Sequence, residues 1–342
     1  MAVRERIKDM SEIRYNAITG DWVIIATERA KRPMNFAERA QQAVVPAYVA
    51  GCPFCRGNEA AAADEEYRLD DAAGNWLIRS VRNKFSALSA VGEAMALDPE
   101  KKTVNGVGRH EVIVESPRHD HIIAFHTFEE TRNLLEVYRR RFLAFYEDPR
   151  VKHVILYKNH GPDAGTSLEH PHSQIVGTPV IPGQVLQRIE LAERSLQETG
   201  ICLYCKTLSE EVSEAKRLVA ETKHFVAFIP FASLSPYHVW IFPKRHSACF
   251  STASQGELDD LAALLPNVLG RLHTALQNPS FNFVIRSLAP DEADAPHFHW
   301  YLAIVPRLSK AAGFELGTGM YINSSIPEHS AETLRQATPA RI

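Results

Sequence analysis

No uninterrupted apolar run in this 342-residue chain approaches the ~20 residues needed to cross a bilayer. The opening stretch, MAVRERIKDMSEIRY, is too charged for a secretory signal. Both absences point to a cytoplasmic protein with no membrane partner. An excess of basic charge is missing too. The formal net charge is −3, which argues against a nucleic-acid partner gripped by a basic face. Only five cysteines are present, and disulfide staples are not expected in a reducing compartment. The remaining composition, 45% hydrophobic and 23% charged, is that of an ordinary globular protein. At ~150 residues per domain the length suggests two domains.

Four of the five cysteines form two C-x-x-C pairs, Cys52/Cys55 in GCPFC and Cys202/Cys205 in CLYC; Cys249 is left over. Such pairs serve metal binding or thiol redox chemistry. A redox pair follows an apolar strand and opens a helix. The segments around GCPFC, VVPAYVAG and RGNEAAAADEE, do not read that way.

The pairs belong to a repeat. The first half continues from C-x-x-C to SPRH, ending at His119, and then to HPH at His170 and His172. The second half continues to FPKRH, ending at His246, and then to HFH at His297 and His299. The step from His119 to His170 is 51 residues, as is the step from His246 to His297. Eight residues past each of the leading histidines lies a capping box, Thr127 with Glu130 and Ser254 with Glu257, which predicts a helix start in both halves. HEVIVES and KHVILYKN read as strands, and Leu135, Tyr138, Phe142 and Phe145, with Phe128, mark the apolar stripe of a helix. The second half repeats the order, with Pro266 expected to kink or break its long helix. QVLQRIELAERSLQETG reads as a helix joining the halves, and a short helix ends the chain. The fold class is therefore α+β, with each half an antiparallel sheet carrying a long helix across it.

Zinc takes tetrahedral nitrogen and sulfur ligands, and Cys2His2 is a common closed set. Cys52, Cys55, His119 and His170 form one such set; Cys202, Cys205, His246 and His297 form another. The plain alternative is that the histidines are ordinary polar strand residues. With four protein ligands each, both zinc sites would be structural. In a strand, residues two apart share a face, so His170 and His172 project together while one suffices for the metal. The second imidazole is a competent nucleophile toward phosphorus and would form a covalent phosphoramidate. It could equally pack or bind the metal. Gly165, Ser167 and Gln174 can offer donors to phosphoryl oxygens, and Arg29, Lys31 and Arg32 can neutralise phosphate charge.

At these residues the chain resembles the galactose-1-phosphate uridylyltransferase family of histidine-triad nucleotidyltransferases. TGDWVIIATERAKRP, GCPFC, RNKFSAL, SPRH, NHGPDAGTSLEHPHSQI and GFELGTGMYIN occur in family order. The resemblance implies two tandem histidine-triad-like domains, residues 1–182 catalytic and 183–342 with the second metal site. It makes His172 the nucleophile, His170 a zinc ligand with Cys52, Cys55 and His119, and Ser167 and Gln174 phosphate holders. Arg29 and Arg32 match arginines near the diphosphate, Asn83 an asparagine at the nucleotide and Asn159 one near the phosphate. Homodimers would carry Gly317, Thr318 and Gly319 to the partner's hexose phosphate. The implied reaction is ping-pong: UMP passes from UDP-glucose to His172 and then to galactose-1-phosphate. CLYC with His246 and His297 resembles the two-zinc branch, which includes an adenylyl-transferring relative using ADP-glucose. Tyr301 stands where Gln174 would repeat, and DEADAP replaces the phosphate loop, so His299 reads as structural. Glu190 is a candidate carboxylate for the surroundings of the second metal.

Overall fold

The computed structural model describes residues 11–31, 45–98 and 100–340. The first half supplies a hairpin of β1 (Glu12–Asn16) and β2 (Asp21–Ile25), then β3 (Glu65–Asp70), β4 (Trp76–Arg82), a small ribbon of β5 (Ala96–Asp98) and β6 (Thr103–Val104), and β7 (Arg109–Val114). Helix α1 (Phe128–Tyr146), β8 (His153–His160) and β9 (His172–Thr178) complete it. Helices α2 (Gly183–Thr199) and α3 (Leu203–Glu214) lead to β10 (Leu218–Glu221), β11 (Phe225–Phe228), β12 (Val239–Pro243), α4 (Gln255–Leu276), β13 (Phe281–Arg286) and β14 (Tyr301–Pro306). The chain ends with α5 (Gly313–Thr318), β15 (Tyr321–Asn323) and α6 (Pro327–Gln336).

Ten strands form one antiparallel sheet in the order β3-β4-β7-β9-β8-β13-β14-β12-β11-β10. Each half contributes five, and the order reads the same from either edge once β8 is matched to β13 and β9 to β14. The antiparallel sheets predicted for the two halves meet edge to edge at this centre, where Asn159 lies opposite Asn282 and Tyr157 opposite Val284. Pairing two open edges satisfies backbone groups that would otherwise face solvent and invite aggregation.

Both long helices start at their predicted capping boxes, Thr127 with Glu130 and Ser254 with Glu257. Side chain and backbone exchange hydrogen bonds there and satisfy amides that the first turn leaves orphaned. The two helices pack against each other on one face of the sheet. Leu135, Tyr138, Phe142 and Phe145 are buried as the stripe predicts, whereas Phe128, in the first turn, is 51% exposed. Pro266 does not end its helix: α4 runs unbroken from Gln255 to Leu276. The proline forfeits one hydrogen bond, at a cost of ~3 kcal/mol. Buried Leu258, Leu261, Leu265, Val268, Leu269 and Leu272 hold the helix on the core regardless. One apolar core joins these residues to Ile113, Leu156, Ile175, Ile241, Phe283 and Leu302 from both halves of the sheet.

The N-terminal hairpin docks on the second half. β2 pairs in parallel with β15, Asn16 donates to the Ala232 carbonyl at 2.9 Å, and Arg14 reaches the Phe231 carbonyl and Glu328. No described helix is long and apolar enough to cross a membrane.

Candidate active site

The sheet face away from α1 and α4 carries the candidate reactive residues, His172 and Gln174. Along β9 the side chains alternate. Ser173 and Ile175 enter the helix-covered core, and His172 and Gln174 take the other face. Cross-strand pairs place Gln174 between Val112 of β7 and Tyr157 of β8, and His172 opposite Val114.

His172 is 5% exposed, and its Nδ1 lies 2.8 Å from the carbonyl oxygen of His170. A carbonyl can only accept, so Nδ1 carries the proton and Nε2 keeps the lone pair. Burial holds the imidazole below its ordinary pKa, with the nearby Lys158 charge acting in the same direction. The ring is thus neutral and oriented, with one nitrogen reserved for its backbone anchor and the other available for attack.

Gln174 is oriented in the same way. Its Oε1 accepts from the Tyr157 hydroxyl at 3.0 Å and lies 2.8 Å from His110 Nε2, so its amide NH2 is the group left for a ligand. Asn83 Nδ2 lies 3.0 Å from the same His110 nitrogen, which can donate to Gln174 or accept from Asn83 but not both. Asn83 is therefore brought to the site through His110. Asn159 accepts from Asn282 Nδ2 at 2.8 Å, and Asn282 also donates to Ala164 O at the phosphate loop. Gly165 has a left-handed φ of 84° and Ser167 is exposed in the same loop.

Beneath β9, on the core side, lies a buried polar cluster that sequence reading did not identify. Lys158 Nζ is 2.7 Å from Glu115 Oε2 and 3.1 Å from the His172 carbonyl. Ser173 donates to the other Glu115 oxygen, and Tyr138 lies 2.5 Å from Ser173 Oγ. Burial pushes the Glu115 carboxyl up, but the adjacent Lys158 ammonium and its hydrogen bonds outweigh it and leave the net shift downward. The cluster pins the backbone of His172 from below. A lysine inside the apolar run of KHVILYKN was its one visible signal.

Cys52, Cys55, His119 and His170 converge, all four buried, with their ligand atoms within 4.8 Å of one another. Cys52 Sγ and Cys55 Sγ each lie 3.6 Å from His170 Nδ1, and Cys55 Sγ is 3.5 Å from His119 Nδ1. Zn–S of 2.3 Å and Zn–N near 2.05 Å across a tetrahedral angle give about 3.6 Å between sulfur and nitrogen. His170 Nε2 lies 2.8 Å from the Ser116 carbonyl, which directs the Nδ1 lone pair at the sulfurs. The donor set and its spacing fit a closed four-coordinate ion.

The second cluster corrects the sequence reading. Cys202, Cys205 and His246 converge, but His297 is not among them. The ring of His297 instead stands 3.8 Å from Glu193, one turn beyond the Glu190 singled out in the sequence. His299 approaches in its place, with Nδ1 3.5 Å from Cys205 Sγ, while His246 Nδ1 is 3.2 Å from the same sulfur. His246 and His299 rings sit edge to face at 5.4 Å, as His119 and His170 do at 5.2 Å. The reason is loop length. Tyr157 pairs with Gln174, and its counterpart Val284 pairs with Ala303. The connection between these strands is two residues longer in the second half. The matched 51-residue steps conceal that insertion, which moves the ligand from the first histidine of HFH to the second. By the same ladder, Ala303 repeats Gln174, and Tyr301 repeats His172. CLYC also opens a helix, α3, with Cys202 at its N-cap. The contact between the two thiols pulls the Cys202 pKa down and pushes that of Cys205 up, so Cys202 is the first of the pair to ionise.

Arg29 is exposed just past β2, on the hairpin docked to the second half, and Gly317, Thr318 and Gly319 are exposed around the end of α5. Arg29, on a first-half segment packed against the second half, and Gly317 to Gly319, in the second half itself, have no hydrogen bond or ion pair with His172 or Gln174 among the described residues. Arg32 lies outside the described residues.

Residues 2–182 match the family model of the Galactose-1-phosphate uridyl transferase N-terminal domain. The chain is 35% identical over 332 residues to the ADP-glucose phosphorylase of Arabidopsis thaliana, covering 96% of this chain and 93% of the relative. It is 28% identical to the galactose-1-phosphate uridylyltransferase of Thermotoga maritima, covering 96% and 98%. The crystal structure of an Arabidopsis thaliana ADP-glucose phosphorylase with bound ADP-glucose superposes with a TM-score of 0.82 at 32% identity, covering 96% of this chain and 99% of that one. The hydrogen-bonded His172, the Cys2His2 cluster beside it and these matches agree: the chain belongs to the galactose-1-phosphate uridyl transferase family.

Proposed function

We propose that the protein transfers a nucleoside monophosphate from a nucleotide-glucose to a phosphate acceptor through a covalent nucleotidyl-His172, with ADP-glucose as donor and inorganic phosphate as acceptor. The observation that carries the mechanism is the His172 Nδ1 contact with the His170 carbonyl at 2.8 Å, which leaves Nε2 as the nucleophile. Nε2 attacks the α-phosphorus, the bond to the bridging oxygen breaks, and glucose-1-phosphate departs as a stable anion that needs no proton. The positive charge that develops on the ring is relieved by the bond from Nδ1–H to the carbonyl. The amide of Gln174 and the loop of Gly165 and Ser167 hold the phosphoryl oxygens, with Asn83 and Asn159 behind them. Phosphate then attacks the nucleotidyl-histidine: its oxygen bonds the α-phosphorus, the bond from phosphorus to Nε2 breaks and returns its electron pair to the ring, and ADP leaves.

The choice of adenylyl over uridylyl transfer is supported by the 35% identity to the Arabidopsis thaliana relative and by the second Cys/His cluster. The 28% relative from Thermotoga maritima supports the second reading, UMP exchange between UDP-glucose and galactose-1-phosphate. Zinc is the ion proposed for both clusters, in a structural role. A homodimer is proposed as the working unit: Arg29 and Gly317 to Gly319 sit on the second-half side, and Leu316 beside them is 80% exposed. A partner copy would supply these residues to His172.

The test is transfer of label from α-phosphate-labelled ADP-glucose and UDP-glucose to protein. Acid-labile, base-stable labelling is expected, stronger from ADP-glucose and absent in His172→Ala. Labelling that persists in that variant overturns the mechanism, and labelling from UDP-glucose alone moves the assignment to the second reading.

A further inference from the structure

The sheet's two-fold pattern gives the first-half site a counterpart, and that counterpart is a cavity. It has a volume of about 290 Å³ and lies over β12, β13 and β14, closed by α2, the N-terminal hairpin and the segment around α5. The pairing register says what occupies each equivalent place. Tyr301 stands for His172, Ala303 for Gln174, Val284 for Tyr157 and Arg286 for Asn159. His238 lies on β12's leading edge where His110 leads β7. The nucleophile and its phosphate amide are gone, and a guanidinium has been added.

The charge is one-sided. Arg188, Arg286, Arg307 and Lys310 line the cavity, against Glu315 as its one carboxylate. Lys310 pairs with Asp163 at 3.5 Å, but neither Arg188 nor Arg286 has a carboxylate partner among the described residues. Arg188 spends one nitrogen on its own helix, donating to the Gln184 carbonyl at 2.6 Å, and its Nε is buried without a partner. Burial and the neighbouring Arg188 charge both pull the Arg286 pKa down, which is the signature of two cations held close together away from water. Two like charges are costly to bury unless an anion neutralises them.

Orphaned neutral donors surround them. Trp240 Nε1 donates to His238 Nε2 at 3.1 Å, and an indole nitrogen can only donate. His238 therefore carries its proton on Nδ1, and that nitrogen, in a side chain 5% exposed, has no partner among the described residues. Ser235 Oγ and Thr19 Oγ1, also lining the cavity, have none either. Buried donors are nearly always satisfied, by protein, water or ligand. Two unpaired guanidinium groups with a ring N–H and two hydroxyls suit a tetrahedral oxyanion. The volume is at the lower end for small-molecule sites, which run about 300–1,000 Å³.

We propose that this cavity is a second, non-catalytic binding site for a phosphate dianion, either inorganic phosphate or the phosphate of a small monoester, held by Arg188, Arg286 and His238. It stands on the geometry of one chain and does not depend on which nucleotide the first half transfers.

Equilibrium dialysis of the intact protein against labelled inorganic phosphate, with glucose-1-phosphate as competitor, tests it. Wild-type protein is expected to bind one phosphate per chain more than Arg286→Met or Arg188→Gln, and Arg286→Lys is expected to retain the site at roughly tenfold weaker affinity. Circular dichroism and His172 labelling should be unchanged in all three. Competition by glucose-1-phosphate supports a monoester as occupant; phosphate binding without competition supports the inorganic ion. Equal phosphate counts in the wild-type protein and both charge-removing variants overturn the proposal. Loss of His172 labelling together with the phosphate, in variants that remain folded, overturns the site's independence from catalysis.

Discussion

Under β9 and β14, the strands that lead out of the two H-x-H motifs, equivalent positions hold different chemistry. In the first half the core side presents Tyr138, Lys158 and Ser173, tied to Glu115. In the second half Leu265, Ile285 and Leu302 take the places of those three, all fully or almost fully buried. The second half uses the plain apolar solution, which stabilises by burial alone. The first half instead places a charged pair where water cannot reach it, an arrangement that often gains nothing over an apolar one. The difference coincides with the reactive residue. Lys158 holds the His172 carbonyl, so the ionic cluster fixes the strand that carries the proposed nucleophile, whereas the strand that carries Tyr301 has only apolar residues at these places.

Substitutions at matched positions sharpen this contrast. The largest effect is expected at the nucleophile: His172→Ala should lower transfer by about 10⁴-fold or more, as removal of a covalent catalyst does. Tyr301→Phe, at the equivalent position, should change kcat less than about twofold. Steady-state assays with both nucleotide-sugars check the pair, and a large loss in Tyr301→Phe would break the assignment of chemistry to the first half. Next is Lys158→Met, which leaves Glu115 buried and unpaired and should cost about 3–5 kcal/mol. Ile285→Val at the matched site should cost about 0.5–1.5 kcal/mol. Urea unfolding compares them, and equal costs would show that the ionic cluster is not under load. Gln174→Ala should reduce turnover about 10²-fold to 10³-fold, the usual cost of removing an oxyanion donor.

The metal clusters offer a comparison in stoichiometry. Elemental analysis should find about two zinc ions per chain, from two four-ligand sets. Cys55→Ser should remove one and His299→Ala the other, while His297→Ala retains both. Loss of zinc in His297→Ala with retention in His299→Ala would reverse the correction made from the structure.

The smallest effect concerns Glu59, which braces the first cysteine knuckle. Its carboxylate accepts from Gly57 N at 2.9 Å and from Trp76 Nε1 at 2.6 Å, and these bonds, the Gly57 amide foremost, lower its pKa to about 2. A depressed folded-state pKa gives stability that is present above the unfolded value near 4.5 and lost as pH falls toward 2. Solvent screening keeps this below about 1 kcal/mol. Glu59→Gln should flatten the stability curve slightly between pH 4.5 and 2, measured by urea midpoints alongside the wild-type protein.

Much of this molecule can be read from residue types and intervals. The capping boxes at Thr127 and Ser254 are local, each fixed by four consecutive residues, and both form as read. The first metal set and His172 are marked by side chains whose chemistry is rare enough to stand out. His110 and Tyr157 were not legible, because which residues of β7 and β8 meet Gln174 depends on cross-strand register. The choice between His297 and His299 failed for a related reason. Equal spacing in the chain does not imply equal position when a connecting loop changes length, and a two-residue insertion preserves strand parity while shifting the match.

Sequence alone determined the two capped long helices, the antiparallel class of each half, the sulfur donors of both clusters and the histidines of the first. Those follow from local capping, hydrophobic period and the intrinsic reactivity of side chains. Tertiary structure decided that the two halves share one sheet, that the hairpin of the first residues serves the second half, and that Lys158 and Glu115 meet beneath His172. It also decided that Arg188 and Arg286 line one cavity, at the second-half counterpart of the His172 site. Each of these depends on contacts between residues far apart in the chain, whose energies depend on register and packing and leave no local trace.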